Sequence, residues 1–529
     1  MKHRLIPVCA LAVVTFAEAA ATLPHFDGNS WWAHVKVLAA DNMEGRETGS
    51  SGLKRAQEYV ISELKAAGVK PAGVDGFYQP VKLVSRTLDE SASSAALVRS
   101  GEVHPLTQGV EGYYSTRVDL APNIDAPLVF VGYGLHIPEA HYDDLAGLDL
   151  HGKIAVYINA APAGISPELS AHSRSQSVRW EALRAAGAIG TIGILNPASM
   201  DIPWPRIAAN RNHPTMTLAD PAFDESRGMQ LSFAFNPEHA DLLFEGSGHT
   251  WQQIFDSLHQ HKQLPRFPLN ASFKGTTKLL KTPVESANLV AKLEGSDPKM
   301  RGQYVVLSAH LDHVGIGEPV NGDRIYNGAM DNSSGSSALI DIASAINKAG
   351  IKPQRSLLFV FVTGEEKGEL GSRYFAAKPT VDKKAIVADI NIDMFLPLVP
   401  LKTVTAYGLK ESTLGDTLQS VARAQGLNVQ PDPQPQRSVF TRSDQYSFVK
   451  EGIPGIMVDV AFPGEEAKIE EEWLKNRYHA PSDDLNQPVN KATAGKYEDV
   501  VGAFMLAVAD ANERPAWKPD SFFRRFATE

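Results

Sequence analysis

Apolar and polar positions along this chain follow two rhythms, and the points where one gives way to the other divide it into parts. Near the start, Leu53, Ala56, Tyr59, Val60 and Leu64 recur at helical spacing, which predicts a helix over 52–67. The turn-rich run Asp-Asn-Met-Glu-Gly-Arg-Glu-Thr-Gly-Ser at 41–50 precedes it and reads as the loop leading in, with no evident chemistry of its own. From about 126 to 282 the texture changes to short β-type runs, at 127–132, 153–158 and 189–194, separated by Gly, Pro, Asp and Asn. That pattern predicts an inserted β-rich domain. From 286 onward, strand patterns at 287–293, 304–309, 356–362, 388–392, 403–407 and 455–460 alternate with helical ones such as 334–348 and 412–424. Such alternation is the signature of an α/β fold with a mixed, largely parallel sheet flanked by helices. The Pro-rich stretch 430–436 reads as a loop in extended conformation.

A chain of 529 residues is longer than one hydrophobic core usually organises. The expected division is a signal segment at 1–21, a first part of the larger domain at 22–125, the insertion at 126–282 and the main part at 283–529. Hydrophobic residues at 43% and charged residues at 21% permit a large packed core. A formal charge of -10 argues against nucleic acid or an anionic membrane as partner. Lys2 and Arg4, an apolar run over 5–16, and small residues at Ala17, Ala19 and Ala21 resemble a secretory signal. The expected location is therefore periplasmic or extracellular. That run is shorter than the roughly 20 residues a membrane span needs, and no later segment is long and apolar enough. Cys9, the one cysteine, lies inside the signal, so the mature chain has no disulfide and any metal must be held by His and carboxylates.

In open α/β sheets, ligands gather at the carboxyl ends of strands, and the residues there are almost all metal-binding types. His310 and Asp312 follow the strand at 304–309, Glu365 and Glu366 follow 356–362, and Asp393 follows 388–392. Asp331 stands just before a predicted helix, where its carboxylate can bridge two metals and gain from the helix N-terminus. His479, in Arg-Tyr-His-Ala-Pro-Ser-Asp at 477–483, completes the set. Imidazole with carboxylates suits zinc. Singly, each has an ordinary reading: a hydrogen-bonded surface pair, a helix-end residue, a turn former. The Glu pair at 465–466 and the Glu triplet at 470–472 follow no apolar strand and read as solvated charge.

Six segments carry a resemblance: Ala-His-Leu-Asp at 309–312, Gly-Ala-Met-Asp-Asn-Ser-Ser-Gly at 328–335, Thr-Gly-Glu-Glu-Lys-Gly-Glu-Leu-Gly-Ser at 363–372, Asn-Ile-Asp-Met at 391–394, Arg-Ser-Asp-Gln at 442–445 and Tyr-His-Ala-Pro-Ser-Asp at 478–483. In order and spacing they resemble metallopeptidase family 28, of the bacterial leucyl-aminopeptidase type. The insertion resembles a protease-associated (PA) domain. The resemblance implies two Zn2+ ions, one on His310 and Asp393, the other on Glu366 and His479, with Asp331 shared. It implies Glu365 as general base, with Asp312 holding the imidazole of His310, a cis peptide at Asp331-Asn332, and Tyr446 as a candidate oxyanion donor. An extended backbone would turn Glu365 and Glu366 to opposite sides. The expected activity is that of an aminopeptidase on peptides with a free N-terminus. A carboxypeptidase would need cations for the substrate carboxylate, for which Arg437 or Arg442 would serve. Glutaminyl cyclases, which use a single zinc, and metal-free receptor ectodomains share the fold and are less consistent with a complete ligand set. Asn-Ser-Ser at 332–334 is formally a glycosylation sequon, but a glycan beside Asp331 would obstruct the site, which fits bacterial export.

Overall fold

The structure, a computed structural model, describes residues 23–260 and 262–527. The expected signal segment and Cys9 lie outside the described residues. Four parallel strands, Ser356–Val362, Tyr304–His310, Ile386–Asn391 and Gly455–Val460, form the centre of a ten-stranded sheet. Every residue of Ser356–Val362 is buried, as expected of a parallel strand covered on both faces. The pleat sends its side chains alternately into two cores. Leu357, Phe359 and Phe361 join the larger one, and Leu358, Val360 and Val362 join a smaller one with Phe375 and Phe448. Helices Asn29–Leu38, Ser51–Ala66, Ser333–Lys348, Thr413–Ala424 and Lys491–Asp510 contribute to the first. The helix predicted over 52–67 is observed as Ser51–Ala66, with the Ser50 hydroxyl accepting from the amide of Leu53 at its start.

On either side of these four strands the pairing turns antiparallel, and at one edge it is parallel again, between Thr403–Tyr407 and Asn428–Gln430, so the sheet is mixed. Strand Leu279–Leu293 pairs antiparallel with Ser356–Val362 on one side and with Tyr78–Leu88 on the other, and Thr403–Tyr407 pairs antiparallel with Gly455–Val460. Among the described residues, no helix is long and apolar enough to cross a membrane.

A second sheet of eight strands runs in the order Glu102–Leu106, Ser94–Arg99, Phe267–Thr276, Asn123–Phe130, Ile154–Ile158, Gly190–Ile194, Leu231–Phe235, Gly112–Tyr114. It has its own core, built around Phe130, Phe233, Phe235, Phe244 and Phe273. The expected limits of the insertion need correction at both ends. The second sheet takes in residues from Ser94 onward, well before 126, and 282 falls within strand Leu279–Leu293 of the first sheet. The reason is that Tyr78–Leu88 and Leu279–Leu293, which lead into and out of the insertion, are a continuous antiparallel pair and read locally like the β-rich segment they enclose. The insertion is also not purely β: helices Pro167–Arg174, Gln176–Ala185 and Trp251–His259 belong to it. Its strand Thr215–Leu218 reaches back to pair with Tyr78–Leu88 at the edge of the first sheet.

Candidate metal centre

The carboxyl ends of the central strands bring the predicted donors together. Nε2 of His310, the last residue of its strand, lies 3.0 Å from Asp393 Oδ1 and 3.3 Å from Asp331 Oδ1. The other oxygen of Asp331 faces a second group: Nε2 of His479 is 3.1 Å from Asp331 Oδ2 and 3.2 Å from Glu366 Oε2. One carboxylate thus stands between two donor sets. Glu365 approaches the first, its Oε2 4.0 Å from His310 Nε2. Four of these side chains, those of His310, Asp331, Glu365 and Glu366, are largely withdrawn from solvent.

A residue that strand-end reasoning passed over joins the second set. His313 is fully buried, with Nδ1 2.7 Å from Glu366 Oε1 and 3.9 Å from Asp331 Oδ2. By geometric criteria, Glu366 Oε1 and both ring nitrogens of His313 have no hydrogen-bond partner among the described residues. Buried polar atoms are nearly always paired in folded proteins, so orphaned imidazole and carboxylate atoms facing each other fit a divalent cation between them. His310 with Asp331 and Asp393, and His313 with Asp331 and Glu366, are the two candidate metal clusters among the described residues.

The electrostatics agree with this fit. Burial opposes charge on His310, but the Asp393 carboxylate and hydrogen bonds to Asp331 and Asp393 overcome it and raise its pKa well above the ordinary imidazole value. His479 is likewise raised, against burial, by Glu366 and Asp331. Asp331 is held well below the usual carboxylate range, against burial, by its hydrogen bonds to His310 and His479. Protons on the imidazoles thus stand in for cation charge, and a metal ion would displace them. Burial pushes Glu365 the other way, well above the carboxylate range, aided by the charges of Asp393 and Glu366 and opposed by His310.

The supports come from distant parts of the chain. Helix Ser333–Lys348 begins at Asn332, whose Oδ1 accepts from the amides of Gly335 and Met394 and whose Nδ2 donates to Ile392 O. That side chain ties the helix start beside Asp331 to the loop carrying Asp393. The Asp331-Asn332 peptide is cis. Asp483 accepts from the amides of Met330 and Asp331. The loop at 41–50, without evident chemistry in the sequence, proves to be a clamp. The Arg46 guanidinium, fully buried, donates to the carbonyls of Leu38, Leu311, Asn327 and Gly328, and the Thr48 hydroxyl donates to Asp312 Oδ2 at 2.8 Å.

Three expectations are corrected. It is the main-chain carbonyl of Asp312, at 3.1 Å, that meets Nδ1 of His310. Its carboxylate accepts instead from Thr48 and from the amide of Glu365, because the chain leaves the strand at His310 and no longer alternates. Glu365 and Glu366 diverge in a turn, in which Glu365 O accepts from the amides of Gly368 and Glu369, and not along an extended strand. The Tyr446 hydroxyl lies 2.6 Å from His172 Nδ1 of the insertion, within a helix whose apolar residues pack on Phe440 and Phe523, so its hydroxyl is committed to that contact and not aimed at the donor sets.

Residues 288–505 match the model of peptidase family M28. The chain is 33% identical over 367 residues to carboxypeptidase Q of Bos taurus, covering 68% of this chain and 64% of that protein. It is 34% identical over 108 residues to leupeptin-inactivating enzyme 1 of Streptomyces exfoliatus, covering 20% of this chain and 22% of that one. These matches therefore span less than two thirds of the curated relatives. The fold is shared with an aminopeptidase from Aneurinibacillus sp. strain AM-1, at a TM-score of 0.55 and 19% identity over 94% of this chain and 97% of that one.

Proposed function

We propose that this protein is a zinc exopeptidase that binds two ions and releases residues from the free N-terminus of peptides. The observation that carries the reading is the position of Asp331 between two donor sets, with Glu365 beside one of them. His310 and Asp393 would hold one ion and Glu366 and His479 the other, with Asp331 placed to serve both. Bound there, the ions supply Lewis acidity and bring the pKa of a water toward neutrality. The chain supplies the base: Glu365, its affinity for protons raised by burial, takes a proton from the attacking water and returns it to the leaving amine. Its amide, held by Asp312, fixes the turn from which it acts.

The choice of peptide end rests on charge. The pocket beside Asp331 and Glu365 is also lined by Asp393 and Asp459, acceptors suited to an ammonium group. Arg437 and Arg442, the cations a substrate carboxylate would need, are already paired with Asp201, Arg437 at 2.6 Å and Arg442 at 2.9 Å. A carboxypeptidase is the second reading. It is favoured by the bovine relative's name and by a cleft of ≈ 720 Å³ that Arg86, Arg117, Arg373 and Lys450 help to line. Peptides offered free, N-acetylated or C-amidated to zinc-loaded protein separate the two: acetylation alone should abolish cleavage, and loss on amidation alone would select the carboxypeptidase. Glu365→Gln should lower turnover by roughly 10²–10⁴-fold with zinc content unchanged. Full activity in that variant would sink the assignment of the base.

A further inference from the structure

We propose that His313 is a ligand of the ion held by Glu366, His479 and Asp331, an assignment that rests on the two-zinc reading above. A satisfied core histidine would show a hydrogen-bond partner on at least one ring nitrogen; among the described residues His313 has none although it is wholly buried, its one close polar contact being the 2.7 Å approach of Nδ1 to Glu366 Oε1. Its Nδ1 is instead aimed into the second donor set. Donors bound at about 2.0–2.1 Å to a tetrahedral ion stand roughly 3.3 Å from one another. The separations here are 2.7 Å from His313 Nδ1 to Glu366, 3.9 Å to Asp331, and 3.1 and 3.2 Å from His479 Nε2 to Asp331 and Glu366. They straddle that value.

The surroundings are built to hold the ring. The amide of His313 donates to the carbonyl of Arg46, the same buried arginine that fastens Leu311 and Gly328. Gly328, at φ +61°, leaves the space the imidazole fills: a Cβ there would fall 2.6 Å from His313 Cγ and Cδ2. The two sites are therefore unequal. Glu366, His479, His313 and the shared Asp331 give one ion four protein donors, the closed set of a structural site. His310, Asp393 and Asp331 give the other three, leaving a position open on the side of Glu365.

Anomalous diffraction at the zinc edge from zinc-loaded crystals of the full chain tests this directly. An ion within about 2.3 Å of His313 Nδ1 is expected, and an ion bound by Glu366 and His479 with that nitrogen beyond about 3 Å overturns the assignment. Zinc titrations against a chromophoric chelator add a second readout. His313→Ala should weaken one of two binding steps by at least roughly 10-fold and spare the other, and His313→Asn, whose amide oxygen reaches toward the Nδ1 position, should restore part of the loss. If His313→Ala binds two ions as tightly as the parent while His479→Ala loses one, His313 is not a ligand and the two-zinc reading stands. A parent protein that binds no zinc overturns both. Should the alanine variant not fold, the asparagine variant and the diffraction decide.

Discussion

Thr48 illustrates how far from the donors the site is held together. Its hydroxyl donates to Asp312 Oδ2, the carboxylate that also accepts from the amide of Glu365, while the Asp312 carbonyl meets His310 Nδ1. Burial raises the Asp312 pKa, so loss of a donor makes its charged form costlier and loosens both the histidine and the base. Thr48→Val keeps the shape and removes the donor. It should lower zinc affinity by roughly 10-fold, at the weak end of what outer partners of metal ligands contribute, with little change in fold. Chelator competition on the two proteins measures it, and equal affinities would show that the Glu365 amide alone suffices. Of the proposed ligands, His310, Asp331, Glu366 and Asp393 were legible in the sequence because each follows, or closely adjoins, a segment with a clear period, and His479 was legible through the resemblance of its segment. His313, Arg46 and Thr48 were not, since they sit in irregular stretches where only the packed structure shows which distant atoms they face.

At the scale of elements, period was a good guide wherever a strand or helix buries one consistent set of side chains. The central strands and Ser51–Ala66 fell where expected, whereas Leu279–Leu293 was seen only in its last seven residues. Its first residues are mostly exposed and are defined by pairing with Tyr78–Leu88, which local pattern does not reveal. A second kind of information absent from the pattern is how the C-terminal segment docks near helix Thr413–Ala424. The Ser521 hydroxyl donates to Glu411 Oε2 at 2.5 Å, and the Lys518 amide donates to the Glu411 carbonyl. Burial pushes the Glu411 carboxyl up to about 7 from 4.5. Below pH 4.5 the group is protonated whether folded or unfolded. Between 4.5 and 7 the folded chain holds the proton more tightly, so this group's contribution to stability falls as pH rises and levels off above 7. The loss is at most about 3 kcal/mol, at 1.36 kcal/mol per unit. Glu411→Gln should remove this slope. Thermal unfolding at pH 5 and pH 8 should give a smaller difference for the variant than for the parent, and parallel curves would refute the assignment.

Across the whole molecule, the insertion is fixed to the larger unit by two groups of contacts. In one, Asp201 binds Arg437 and Arg442. In the other, His172 packs among Phe522, Phe523 and Phe526 and meets the Tyr446 hydroxyl, while Arg525 of the same C-terminal segment pairs with Glu139 of the insertion. Tyr446 therefore belongs to the mechanics of this joint. Burial, with the nearby charges of Lys450 and Arg525, holds His172 down to about 4 from 6.5, so the folded chain keeps the ring neutral where the unfolded chain would protonate it. Above pH 6.5 the group is neutral in both states and costs nothing. As pH falls from 6.5 toward 4 the unfolded chain gains the proton first, and stability is lost over that window, by about 3 kcal/mol at the limit. The sign is opposite to that of Glu411, and the strain is placed where the two units meet. His172→Gln retains a polar partner for Tyr446 without a titrating ring. Hydrogen exchange at pH 7 and pH 5 should show the parent's Pro167–Arg174 and Phe522–Phe526 segments losing protection on acidification while central strand Ser356–Val362 does not. In the variant the difference should shrink. Acid-induced loss of protection that is equally large in the variant would mean that His172 is not the group responsible.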